Sequence, residues 1–178
     1  MLSPNEQLSE DRGAVHEVLA QLLTALKNKE VEASYRKLDL LWARLAVHIR
    51  AEHLHLFPAV TSRLPEAHTV IERLRTDHDF FMRELARAVG VLRELSNPLD
   101  SATVDAGLTS VLDVVAAVEK RLASHNDMEE KQVYHWATTI LPETGQIDLA
   151  SRIKAELEHR PPRFSVEAWT NEAPTNHD

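Results

Sequence analysis

At 178 residues the chain is long enough for one domain with a substantial core, and four glycines leave little material for the many turns of an all-β fold. A net charge of −8 argues against nucleic acid or an anionic membrane surface as a partner, because both demand a basic face. The absence of cysteine removes disulfides, thiolate metal sites and cysteine nucleophiles together, so metal or acid–base chemistry has to run through the ten histidines.

Taken in chain order, SPNE at Ser3–Glu6 has the S-x-x-E form of a capping box with proline at the first helical position. Gly13 points to a looser start, with a firm helix from there to Lys27. The second helical-period segment runs from Glu30 to Arg63, with Leu38, Leu41, Leu45, Ile49, Leu56 and Val60 apolar and Pro58 near its end. Pro65 opens a third, which reaches Leu95 before the breaker SNP, and the fourth runs from Asp100 to Ile140. Short connections between four such helices predict an all-α protein, an antiparallel up-down four-helix bundle over residues 1–145. Residues 146–178 are expected to form a short helix at Gln146–His159 and a partly ordered tail, in which Phe164, Val166 and Trp169 are the apolar groups able to dock. The opening MLSPNEQLSED lacks the basic and apolar regions of a signal peptide, and no apolar run approaches a bilayer span. The expected location is the cytoplasm.

The histidines carry the chemistry. Positions four apart lie on one helical face with β-carbons about 5–6 Å apart, which relates His48 to Glu52 and His125 to Glu129. His68 and Glu72 share the spacing but lie off the apolar stripe of their helix, on the expected surface. Around His48 the stripe carries Leu41, Leu45 and Leu56; around His125 it carries Val111, Val114, Val118, Leu122 and Val133. His16 shares a face with Leu19, Leu23 and Leu26, and His78 with Ile71, Leu74, Phe81 and Leu85. Four helices thus each bring one histidine inward, and two add a carboxylate. Burying two uncompensated carboxylates costs several kcal/mol each or forces them neutral, which favours a metal pair over a hydrogen-bonded polar core.

The chain also repeats itself: a helix with one inward histidine, then a helix with HxxxE. HIRAEHLHLFPA aligns on HNDMEEKQVYHW, matching His48 to His125, Glu52 to Glu129, Leu56 to Val133 and Phe57 to Tyr134. A two-fold between the halves brings Glu52 and Glu129 together as bridging carboxylates for two metals about 3.5–4 Å apart, with an oxide or hydroxide between them. Histidine and glutamate ligands suit iron, with manganese or zinc suiting less well; spacing alone does not choose.

The order His16, His48–Glu52 with LFP, His78, His125–Glu129 resembles the hemerythrin-like (HHE cation-binding) family over residues 10–142. The resemblance implies a bundle holding a non-haem di-iron centre that binds or reacts with O2, NO or peroxide. Its ligands would be His16, His48, Glu52, His78, His125 and Glu129. Oxygen-carrying hemerythrins have HxxxH on the third helix, where this chain has His78 followed by Met82, and an aspartate at i+5 on the fourth, where it has Glu130. The resemblance is therefore to a four-histidine, two-glutamate branch, which shifts the expectation from reversible O2 carriage toward redox chemistry or sensing. His55, two turns after His48, is either an outer group serving a ligand or a half-exposed histidine. Glu130 is an alternative to Glu129, and Met82 reads as core filling beside the site. His53, His135, His159 and His177 are expected on the surface. Two functions follow: a stand-alone binder or sensor of O2, NO, peroxide or iron, or a di-iron enzyme with catalase-like or oxidase activity. A zinc-stabilised bundle without redox chemistry is the third.

Overall fold

A computed structural model describes residues 2–97 and 100–159. The expected tail with Phe164, Val166, Trp169 and His177 lies outside the described residues. Helix α1 covers Pro4–Lys27, earlier than the Gly13 start anticipated. Ser3 accepts from the Glu6 backbone N–H while Glu6 accepts from the Ser3 N–H, closing the capping box. It ends at Asn28, with Lys29 in the left-handed region at φ 59° and the Glu30 N–H returning to the Ala25 carbonyl, a Schellman closure.

Helix α2 is Val31–Ala51 and continues through a π-helical segment, Glu52–Leu56, into α3, Phe57–Thr61. A 3-10 turn at Pro65–Ala67 leads into α4, His68–Leu95. Helix α5, Ser101–Met128, is capped by the Asp100 side chain and passes through a second π segment, Glu129–Tyr134, into α6, His135–Ile140. Four rods result, each packed on two neighbours in the ring α1, α2, α4, α5. Helix α7, Glu143–Leu157, starts before the expected Gln146 and lies along α1, α2 and the first π segment.

The core is divided into two apolar layers. One holds Val15, Leu19, Leu22, Leu45, Phe81, Leu85, Val115 and Leu122 among others; the second holds Leu8, Leu56, Phe57, Leu74, Val133 and Tyr134 with residues of α7. On every rod the switch between layers falls at one height: between Leu8 and Val15, Ile49 and Leu56, Leu74 and Phe81, Leu122 and Val133. At that height lie the buried His48, Glu52, Asp77, His78, His125 and Glu129, whereas the buried Asp39 sits earlier on α2. Within residues 101–140 one 18-residue window is, by length and composition alone, apolar enough to cross a bilayer, with mean hydropathy 1.4. Here their Val111, Val115, Val118 and Leu122 stripe is bundle core, and the same rod delivers His125 and Glu129 to the interior.

Candidate metal centre

Helix α2 presents His48 and, where the first π segment begins, Glu52; α5 presents His125 and, where the second begins, Glu129; α4 presents His78. All five are buried, and the two glutamates have no exposed surface. One ligand atom from each of Glu52, His78, His125 and Glu129 lies within 4.8 Å of the others. His48 extends the group on the far side of Glu52: its Nε2 is 3.2 Å from Glu52 Oε1, while His78 Nε2 is 3.3 Å from Glu52 Oε2. His125 Nε2 is 3.1 Å from Glu129 Oε1 and 3.0 Å from His78 Nε2.

The opposite ring nitrogens face outward and are all engaged. His48 Nδ1 is 2.9 Å from Asp11, His125 Nδ1 is 3.3 Å from Asp77, and His78 Nδ1 is 2.8 Å from His53 Nε2. Asp77 is itself held by Arg121 at 2.6 Å. An imidazole whose Nδ1–H is donated to a carboxylate turns the lone pair of Nε2 inward, the orientation of a metal-binding histidine. All four oxygens of Glu52 and Glu129 lack a hydrogen-bond partner among the described residues, because the imidazoles approach them outside hydrogen-bond geometry. Buried carboxylate oxygens left this way are costly, and a cation among these N and O donors removes the cost. The donor set therefore fits a metal.

A family model, the hemerythrin HHE cation-binding domain, matches residues 3–137. The chain belongs to the hemerythrin HHE family. No curated protein matches it.

Within this hemerythrin-type bundle the electrostatics are those of a centre short of positive charge. Burial disfavours an imidazolium at His48, but Glu52 and Asp11 outweigh it and raise the group well above its ordinary value. Burial also works against charged His125, and Glu129, Glu52 and Asp77 again prevail. His78 is pushed down to about 4, first by burial. Glu52 stays ionised despite burial because His48 and His78 face it, whereas burial and the charge of Glu52 push Glu129 up to about 7. Protons thus do the work of cations here.

The structure brings His48, Glu52, His78, His125 and Glu129 together, and it does not bring His16 to them. Contrary to the inward placement anticipated, His16 is exposed and its Nε2 accepts from the Asn126 side chain at 2.9 Å. The buried stripe of α1 runs through Leu8, Val15, Leu22 and Leu26, and His16 is rotated about 100° from its neighbour Val15. Asp11, one turn before Val15, occupies the inward position instead. Glu130 is also outside: its side chain is 70% exposed and pairs with Arg12 at 3.5 Å. His55 faces α7, with Nε2 3.7 Å from Glu156. Met82 is partly buried against the first apolar layer, as core filling. His68, His135 and His159 are exposed as expected. His53 is not a surface residue; half-buried, it lies against both His78 and Phe57, its ring 5.4 Å from that of Phe57.

Sequence reasoning missed Asp11, Asp77 and His53. The signal for the first two was an acid at a core position of an apolar stripe: Leu8, Asp11, Val15 on α1 and Leu74, Asp77, Phe81 on α4. His53 gave no signal, since in a regular α-helix it would stand about 100° from Glu52.

Proposed function

We propose that the centre holds two iron ions bridged by Glu52 and Glu129, and that the protein binds or senses O2, NO or peroxide there. The observation that carries this reading is Glu52: its two oxygens face imidazoles on opposite sides, His48 at 3.2 Å and His78 at 3.3 Å, as a carboxylate shared between two cations requires. Glu129 is its counterpart by the internal repeat. An iron pair supplies open coordination positions and one-electron steps to a bound small molecule. The chain's own part is to fix Nε2 of three imidazoles inward, keep water out with two apolar layers, and leave a small opening. Arg12, Val15, His48, His78, Phe81 and His125 help line a cavity of ≈ 10 Å³, about enough for one water or a diatomic molecule.

Peroxide disproportionation or oxidation is the second reading, favoured by His53. This half-buried imidazole, hydrogen-bonded to His78 Nδ1, can hold a proton between solvent and the centre. In this proposal the protein works in the cytoplasm on small molecules, without nucleic acid or membrane as partner. Elemental analysis of protein never exposed to imidazole columns, with an optical spectrum of the same sample, tests the metal. About two irons per chain are expected; zinc in a colourless sample would refute the redox reading. Glu129→Ala and His48→Ala should lose most of the metal, and His68→Ala should retain it; equal retention in all three would refute the assignment. Oxygen evolution from peroxide above that of free iron decides for the enzyme.

A further inference from the structure

The contacts around the polar layer repeat between the two halves, and they differ on one side. Asp11 buttresses His48 as Asp77 buttresses His125. In the same register, the residue after Asp77 is His78 and the residue after Asp11 is Arg12. His78 stacks on Phe57, with ring centroids 5.9 Å apart and planes 9° from parallel, and it bonds His53. Arg12 lies over Tyr134, 5.6 Å from the ring centroid, and pairs with Glu130 at 3.5 Å. Phe57 and Tyr134 match in the repeat, and so do His53 and Glu130. A guanidinium and a phenol therefore stand where the other half has an imidazole and a phenyl ring.

Neither group is used up by the fold. The other polar contacts of Arg12 are Ser9 at 3.4 Å and the Asn126 carbonyl at 3.5 Å, all long for hydrogen bonds. Arg12 lines the cavity shared by His48, His78 and His125, whose remaining walls include Val15, Leu45, Phe81 and Leu122. Tyr134 is 3% exposed, and its hydroxyl has no hydrogen-bond partner among the described residues. It follows Glu129 by five residues within a π segment, which carries i+5 to the face that i+4 takes in an α-helix. The charged groups around the phenol are Glu129, Glu52, Arg12 and Asp11. The carboxylate that pairs with Arg12, Glu130, is 70% exposed and screened by solvent, whereas on the cavity side the guanidinium meets mostly apolar walls, where its attraction for an anion is less screened.

We infer that Arg12 and Tyr134 make the His48 side of the centre its anion-accepting side: the guanidinium draws in a small anion of the size and donor type of hydroperoxide, and the phenol O–H donates a hydrogen bond to it. This rests on the metal reading above. The test uses iron-loaded protein, with azide as the anionic probe and nitric oxide as the neutral one, each titrated optically, and iron per chain measured for every variant. Arg12→Gln should weaken azide about tenfold or more, while Arg12→Lys, which keeps the charge, stays within about threefold. Tyr134→Phe should weaken azide about three- to tenfold. Nitric oxide affinity and iron content should hold in all three. Azide affinity unchanged in both Arg12→Gln and Tyr134→Phe at full iron content would overturn the inference, as would equal losses of azide and nitric oxide. Iron lost on Tyr134→Phe would also overturn it, by making the phenol a metal ligand. A parent protein without iron would instead refute the metal reading beneath it.

Discussion

Asp11, Asp77 and His53 each engage the outward Nδ1 of a buried imidazole, and in doing so fix which nitrogen faces the glutamates. This outer ring sets ligand tautomer and basicity, so its loss should weaken metal binding without unfolding the bundle. Asp77→Asn is expected to lower metal affinity about 10- to 100-fold, read by competition with a chelator, with helical content unchanged. Affinity equal to the parent would mean that Asp77 serves only to pair Arg121. At this scale the HxxxE pairs were legible because His48, Glu52, His125 and Glu129 each lie on an apolar stripe, where a charged residue demands a reason. His16 was misplaced because spacing to Leu19 and Leu23 puts it at the edge of a stripe whose centre passes through Val15 and Leu22. The inward polar residue of that helix is acidic, and a search confined to histidines passes it over.

At α1 the Ser3–Glu6 capping box was visible but Gly13 drew the expected start too late, whereas the start of α5 was legible at Asp100, whose side chain satisfies the Thr103 N–H. The π segments were not, because they are defined by backbone bonds such as the Phe57 N–H to the Glu52 carbonyl, which no side-chain pattern announces. Each begins at a glutamate of the centre, and past that point stand His53 against His78 in one half and Tyr134 under Arg12 in the other. The turn after α1 offers a cleaner energetic test. Lys29 holds a φ of 59°, a conformation that costs a side chain about 1 kcal/mol relative to glycine. Its ion pair with Asp105 at 2.8 Å joins two largely exposed side chains and returns little. Lys29→Gly should therefore stabilise the fold by roughly 0.5–1 kcal/mol, measured by urea unfolding. Destabilisation would show that the Lys29–Asp105 contact between the α1–α2 turn and α5 outweighs the backbone strain.

For the whole molecule, two apolar layers close above and below one charged layer, and what neutralises that layer governs stability. In the metal-free chain, Glu129 is raised to about 7 by burial and Glu52, and His48 and His125 are raised by their carboxylates despite burial. Each group binds its proton more tightly folded than unfolded. Above the unfolded values of 4.5 for Glu129 and 6.5 for the histidines, the folded state therefore holds more protons, and stability must fall as pH rises. His78 and Glu52, both lowered, act with the opposite sign and at lower pH, since His78 has already lost its proton by pH 6.5 in the folded chain. The urea midpoint of metal-free protein should thus drop between pH 6.5 and 8.5. A metal displaces those protons, so its uptake should release protons at neutral pH, and the loaded protein should show a weaker slope in the same window. At free metal a thousandfold above its dissociation constant the gain is about 4 kcal/mol. A metal-free midpoint that stays level or rises across this window would show that the buried layer is already neutral without a cation, and the electrostatic case for the metal would fail with it.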